Sequence, residues 1–282
     1  MKAKRPAQAN PNRGYSFVGQ ENVANISGYE KGKGPNKTRD IKVNICPGYH
    51  IPTQHLTNSP QETVDLGSAT DDLVDNIWVP EETLPGFKSF MESFYDKAFK
   101  TELELLSALA IALGVSEEHM RSLHCRAENE FRLLHYPSIP ASDLADGSAT
   151  RIAEHTDFGT ITMLFQDSVG GLQVEDQADL GTFHSVESSR PTDIILNIGD
   201  SLQRLTNDTF KAACHRVTYP PAIKAGDSVA IPERYSVAYF AKPNRAASLL
   251  PLKEFITPAT PCHYEDVTAW EWNNRRIEKL FG

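Results

Sequence analysis

The segment His155-Thr156-Asp157-Phe158-Gly159-Thr160-Ile161-Thr162-Met163-Leu164-Phe165-Gln166, followed by Asp167-Ser168-Val169-Gly170-Gly171 and Leu172-Gln173-Val174-Glu175, decides how the chain is read. Thr160–Phe165 and Leu172–Glu175 are short runs rich in β-branched and large apolar residues, and the Gly170-Gly171 pair between them suits a turn. The same texture spreads outward to Phe131–Tyr136, Phe183–Val186, Asp193–Ile198, Cys214–Thr218 and Tyr235–Ala241. Pro137, Gly181, Gly199-Asp200, Asn207-Asp208 and Pro220-Pro221 punctuate these runs. Many short strands separated by turn formers predict a sandwich or barrel.

The periodicity differs on either side of this region. Phe90, Met91, Phe94, Tyr95, Ala98, Leu103, Leu106, Leu109, Ala110 and Leu113 recur at three- and four-residue steps, predicting one amphipathic helix over Phe87–Leu113 with Gly114 as its stop. Ser116, followed by Glu117 and Glu118, suits the cap of a shorter helix reaching about Arg126. Glu265–Leu280 reads as a terminal helix with Val267, Trp270, Ile277 and Leu280 on one side. Residues 1–60 are rich in Gly, Pro, Asn and Lys and read as loops and short strands. This divides the chain into an N-terminal region that reads as incomplete and carries a helical buttress (1–125), a β core (126–245) and a C-terminal helical segment (246–282).

With 282 residues, 40% hydrophobic, the chain can bury a sizeable core. Its formal net charge of -9 argues against a nucleic-acid partner, which requires clustered cations. The longest apolar run, within Leu105–Val115, is too short to span a bilayer, and no apolar stretch follows the basic Met1–Pro6. Cys46, Cys125, Cys214 and Cys262 are far apart with no C-x-x-C pair, which reads as reduced, mostly buried thiols in a cytoplasmic protein.

Along an extended chain, residues two apart share a face, so the imidazole of His155 and the carboxylate of Asp157 can converge on one ion. His215, 58 residues beyond Asp157, lies on another strand and is the candidate third ligand. Two imidazoles and one carboxylate on one side of an ion make the facial triad of non-haem iron(II) oxygenases, which leaves adjacent positions open for co-substrate and dioxygen. A lone H-x-D is a weak signal, and a zinc hydrolase uses the same ligand types. Arg234-Tyr235-Ser236 adds a second constellation: a guanidinium and a hydroxyl two residues apart on one strand face, suited to a carboxylate.

These motifs in this order resemble the isopenicillin N synthase-like group of 2-oxoglutarate/iron(II) oxygenases. The resemblance is carried by "FRLLHYP" (131–137), "HTDFGTITMLFQDSVGGLQV" (155–174), "DIILNIGDSLQRLTNDTFKAACHRV" (193–217) and "RYSVAYF" (234–240), and more weakly by "RGYSFVGQE" (13–21). It implies an α+β fold: a double-stranded β-helix (jelly roll) core with flanking α-helices, the helix at 87–113 buttressing one face. It implies iron(II) on His155, Asp157 and His215, with 2-oxoglutarate and dioxygen as co-substrates. Arg234, Ser236 and Tyr136 would hold the distal carboxylate of 2-oxoglutarate, and Phe158 and Phe240 would face the substrate. The implied reaction oxidises, by default hydroxylates, a small soluble metabolite of secondary metabolism, with release of succinate and carbon dioxide; neither nucleic acid nor membrane is an expected partner.

Three departures from the family pattern accompany the resemblance. Leu134 stands where an asparagine is common near the metal-bound end of 2-oxoglutarate. The connection between His215 and Arg234, "YPPAIKAGDSVAIPE" (219–233), is long and reads as an extended loop. The strand and helix that normally precede "RGY" are not in the sequence, leaving a sheet edge expected to be exposed. Two rivals stay open here: an oxidase of the same family that does not consume 2-oxoglutarate, and a non-catalytic binding remnant.

Overall fold

In a computed structural model, residues 62–71, 73, 75–144, 149–223 and 227–281 are described, together with the backbone of strands at 8–9, 12–16 and 39–40; the side chains of 149–150 and 279–281 are not. The strands in chain order are β1 (Gln8–Ala9), β2 (Asn12–Ser16), β3 (Arg39–Asp40), β4 (Glu62–Gly67), β5 (Glu130–Tyr136), β6 (Ile139–Pro140), β7 (Ala149–Thr150), β8 (Ile152–His155), β9 (Ile161–Gln166), β10 (Leu172–Glu175), β11 (Phe183–Ser185), β12 (Ile195–Ile198), β13 (His215–Val217), β14 (Ala230–Ile231) and β15 (Arg234–Ala241). The helices are α1 (Phe87–Leu113), α2 (Glu117–Ser122), α3 (Asp200–Leu205) and α4 (Ala269–Phe281). The fold is mixed. A seven-stranded antiparallel sheet, in the order β1-β2-β4-β5-β15-β9-β12, accompanies a four-stranded antiparallel sheet, β11-β10-β13-β8.

Strand alternation explains why β9, Ile-Thr-Met-Leu-Phe-Gln, is apolar at most positions. Side chains point to opposite faces in turn, and both faces of the large sheet are covered. Phe131 of β5, Ile161 and Met163 of β9 and Tyr239 of β15 pack with Met91, Tyr95, Ala98, Leu106 and Ala110 of α1. Burying each large member of such a cluster is worth about 1.5–3 kcal/mol. The alternate residues Leu134 and Tyr136, Leu164, and Ala238 and Phe240 belong to a second cluster with Ile152, Leu172 and Val217 of the smaller sheet. A cavity lies between the two sheets.

The ends of α1 match the sequence reading: Gly114 adopts a left-handed φ of 68°, and its N–H returns to the carbonyls of the last turn. Phe90 corrects it, being 65% exposed on the outer side of α1 rather than in the core. Ser116 caps α2 by accepting from the His119 N–H, but α2 ends at Ser122 instead of continuing to Arg126. Gly199-Asp200, read as a turn, opens α3. The terminal helix begins at Ala269, with Ile277 buried and Trp270 only half-buried; the Leu280 side chain is outside the described residues. The 219–233 connection is not all loop, because Ala230–Ile231 pairs with Ile139–Pro140. Only Cys214 is buried; Cys125 and Cys262 are exposed free thiols, and Cys46 lies outside the described residues, as do the side chains of 13–21. Among the described residues, no helix is long and apolar enough to cross a membrane.

Candidate metal centre

β8 and β13 are antiparallel neighbours, and their register sets His155 directly opposite His215. The two imidazole rings lie 4.3 Å apart, centre to centre. Each is oriented the same way: Nδ1 donates over 2.9 Å to the carbonyl two residues upstream, Ala153 for His155 and Ala213 for His215. A carbonyl can only accept, so Nδ1 carries the proton and the Nε2 lone pair is left for a metal. Asp157 lies just past the end of β8. Its Oδ2 accepts from Thr162 Oγ1 at 2.7 Å and Asn197 Nδ2 at 2.8 Å. Its Oδ1 faces His155 Nε2 at 3.9 Å and His215 Nε2 at 3.8 Å. These separations are too long for hydrogen bonds, and all three candidate ligand atoms lie within 4.8 Å of one another. Two imidazole nitrogens and one carboxylate oxygen converging from one side fit iron(II) with open positions opposite.

The electrostatics suit the same donor set. Burial, and then the neighbouring His215, push His155 down to about 3, so its imidazole is neutral. For Asp157 burial is the largest influence and opposes ionisation. The two histidines and the Asn197 and Thr162 hydrogen bonds nonetheless hold its carboxyl below the usual value.

The turn that carries Asp157 is braced by the start of α3. Asp200 N–H donates to Asp157 O at 2.8 Å, Ser201 N–H to Gly159 O at 3.0 Å and Gly199 N–H to Thr160 O at 3.0 Å. Ser201 Oγ donates to Phe158 O at 2.7 Å. The approach is so close that a Cβ on Gly199 would stand 2.3 Å from Gly159 O and 2.9 Å from Asp157 O. Glycine is therefore required there by contact rather than by an unusual φ.

The triad opens into a cavity of about 390 Å³, also lined by Leu134, Tyr136, Arg234, Ser236 and Phe240. Arg234 is buried. Its Nη1 donates to Ser236 Oγ at 3.1 Å, its Nη2 to Gln166 Oε1 at 2.8 Å, and its Nε has no protein partner. Its guanidinium carbon stands 4.8 Å from the centre of the Tyr136 ring. Among the described residues no carboxylate pairs with Arg234. A buried cation without its anion is costly, so the site suits a carboxylate brought from outside. Arg151 lies 5.6 Å from the same Tyr136 ring and bonds through Nη2 to the carbonyls of Tyr136, Pro137 and Pro232.

The structure thus brings together His155, Asp157, His215, Arg234, Ser236, Tyr136 and Phe240 around one space. Phe158 is the exception and does not line that cavity. It packs against the cluster of Leu134, Tyr136 and Ile152 that walls the cavity, with its ring 4.8 Å from the Arg276 guanidinium and bordering a smaller cavity under α4. Sequence reasoning missed Thr162, Asn197, Gln166 and Arg151. Thr162 and Gln166 sit on the quoted 155–175 stretch, so a hydroxyl and an amide within an apolar strand were the available signal. Asn197 and Arg151 carry no comparable signal.

Comparison with known proteins follows the same line. A family model for the 2OG-Fe(II) oxygenase superfamily matches residues 125–243. The chain is 44% identical, over 98% of its own length and 75% of the relative's, to a 2-oxoglutarate-Fe(II) type oxidoreductase, ppzD, of Metarhizium majus (strain ARSEF 297). It is 41% identical, over 99% of its length and 79% of the relative's, to a proline hydroxylase, buaE, of Petromyces alliaceus. Among solved structures it resembles a full-length Neurospora crassa protein in complex with alpha-KG, with a TM-score of 0.76 and 28% identity, covering 96% of this chain and 74% of that one.

Proposed function

Because the chain belongs to the 2OG-Fe(II) oxygenase superfamily, we propose that it hydroxylates a small organic metabolite, with His155, Asp157 and His215 as its iron ligands. It is a 2-oxoglutarate-dependent dioxygenase, as its curated relatives are named. That sets aside the zinc hydrolase and the oxidase that spares 2-oxoglutarate. Hydroxylation is supported by the relative named as a proline hydroxylase, and a small substrate by the structure of the Neurospora crassa protein solved with alpha-KG and thymine. The two facing antiparallel sheets support a double-stranded β-helix as the architecture of the core.

When bound, iron(II) supplies dioxygen activation coupled to decarboxylation of 2-oxoglutarate to succinate. The protein's part is geometric and electrostatic. His155 and His215 donate through Nδ1 to backbone carbonyls, which turns both Nε2 atoms toward the metal position, and burial keeps the His155 imidazole neutral. Thr162 and Asn197 hold one carboxylate oxygen of Asp157, so that the other points at the metal position. Arg234 and Ser236 offer a charge-assisted grip for the distal carboxylate of 2-oxoglutarate, with Tyr136 packed beside the guanidinium. Leu134, across from Ser236 in the sheet, adds an apolar wall to the same cavity where the family commonly has an asparagine. Apolar walls from Ile152, Leu164, Val217 and Phe240 exclude water from the reacting centre.

The convergence of three ligand atoms within 4.8 Å carries this reading. The test is succinate release from 2-oxoglutarate by purified protein with iron(II) and a panel of small metabolites. A His155→Ala or Asp157→Ala variant is expected to release none. Full turnover by either variant would overturn the ligand assignment.

A further inference from the structure

The turn that carries Asp157 is also gripped from a residue about 120 positions further along the chain. Arg276 on α4 is fully buried. Its Nη2 lies 3.1 Å from Asp200 Oδ2, 3.2 Å from Thr156 Oγ1 and 3.4 Å from Thr156 O. Asp200 in turn donates its backbone N–H to Asp157 O. The guanidinium carbon stands 4.8 Å from the Phe158 ring. Arg276 therefore touches the residues on both sides of Asp157, and the residue whose amide holds the Asp157 carbonyl.

We propose that Arg276 is a positioning residue for the metal centre, fixing the His155–Asp157 spacing by seating Thr156 and Phe158 against Asp200. This rests on the reading of His155, Asp157 and His215 as the iron ligands. Thr156 is the single residue linking two ligands, so any freedom it gains is passed to both. A buried ion pair contributes little net stability, but here the polar contacts to Asp200 and Thr156 all run through one nitrogen, Arg276 Nη2, so the two residues are seated together. Three elements that are remote in sequence meet at this one group: the end of β8, the start of α3, and α4. A role limited to docking α4 would lower the melting temperature and leave the metal site of the folded protein unaltered.

Cobalt(II) is the probe, because it resists oxidation by air and its visible d–d bands report coordination geometry. The full-length chain is titrated with cobalt(II) as wild type, Arg276→Gln, Arg276→Lys, Thr156→Val and His155→Ala, with melting temperatures measured alongside. Arg276→Gln is expected to bind cobalt(II) about tenfold more weakly, the lower end of what losing a direct partner of a metal ligand costs, with altered d–d bands. Thr156→Val keeps the Arg276–Asp200 pair and is expected to bind about threefold more weakly, the size of one lost hydrogen bond. Arg276→Lys retains the charge beside Asp200, so it should recover melting temperature more than cobalt(II) affinity. Wild-type affinity and spectrum in folded Arg276→Gln and Thr156→Val would overturn the proposal. If Arg276→Gln does not fold, Arg276→Lys and Thr156→Val decide by the same two outcomes. Wild-type binding by His155→Ala would instead overturn the ligand reading beneath it.

Discussion

The two faces of the seven-stranded sheet both bury polar groups, but they leave them in opposite states. On the helix side, Glu102 of α1 accepts from Tyr239 at 2.5 Å and Asn129 at 2.6 Å and meets His124 at 2.7 Å, while His124 reaches Thr160 at 3.0 Å. Burial, and then Glu102, keep the Tyr239 hydroxyl protonated as a donor. Each group there is satisfied within the protein. On the cavity side, Asp157 Oδ1 stands 3.9 and 3.8 Å from the Nε2 atoms of His155 and His215, beyond hydrogen-bond reach, and Arg234 Nε has no partner among the described residues. Leaving buried polar groups unmatched is costly. A closed network therefore marks a structural element, and an open one marks a place for a ligand. Residues that alternate along the same strand, such as Tyr239 and Ala238 or Phe131 and Arg132, divide between the two.

That contrast can be broken by mutation. Asp157→Ala removes the one anionic ligand and is expected to lower turnover by more than about 100-fold, beyond what outer-shell substitutions cost. Its thermal denaturation should shift less than that of Glu102→Ala, since the two hydrogen bonds lost from Thr162 and Asn197 are offset in part by removing a buried charge. Glu102→Ala should do the reverse. Removing one partner of a buried charged network costs about 3–5 kcal/mol, readable by urea denaturation, while kcat of the protein that remains folded is kept. A variant at Glu102 that lost turnover without losing stability would erase the distinction.

Smaller effects sharpen it at the other end of the cavity. Arg234→Gln forfeits a charge-assisted grip, and the KM for 2-oxoglutarate is expected to rise about 10- to 100-fold, with the melting temperature kept or raised because an unpaired buried charge is gone. Ser236→Ala should raise the same KM by roughly fivefold, the worth of one neutral hydrogen bond. Steady-state kinetics with 2-oxoglutarate varied would separate both from substrate effects. An unchanged KM in Arg234→Gln would assign the buried guanidinium to some other ligand.

Local pattern made much of this legible in the sequence. The α1 limits, Phe87 and Leu113, follow from three- and four-residue periodicity with a glycine stop, and β10 follows from an apolar run bounded by Gly170-Gly171. The candidate ligands were legible because His155 and Asp157 are two apart and His215 lies on a strand of its own. What was not legible depends on distant partners. β4 carries buried Thr63 and Asp65, and the Asp65 carboxylate is matched by Arg132 from β5 at 2.7 Å, so its polar sequence gave no strand signal. α3 starts at a Gly-Asp pair that reads locally as a turn, and it becomes a helix where its first amides meet the 157–160 carbonyls. The resemblance implied a substrate-facing Phe158, and its contact with Arg276, 4.8 Å from ring to guanidinium, had no local signal. Arg276 could not be assigned from sequence, since its contacts lie some 76 and 120 positions away, at Asp200 and Thr156.

The distinction between closed and open networks is tested most directly by an anaerobic crystal structure with iron(II) and 2-oxoglutarate. The expected result is one iron bonded to His155 Nε2, Asp157 Oδ1 and His215 Nε2, with the distal carboxylate of 2-oxoglutarate on Arg234 and Ser236 and the Glu102 network unchanged. Iron or 2-oxoglutarate bound elsewhere, with those five side chains turned toward partners within the protein, would contradict it.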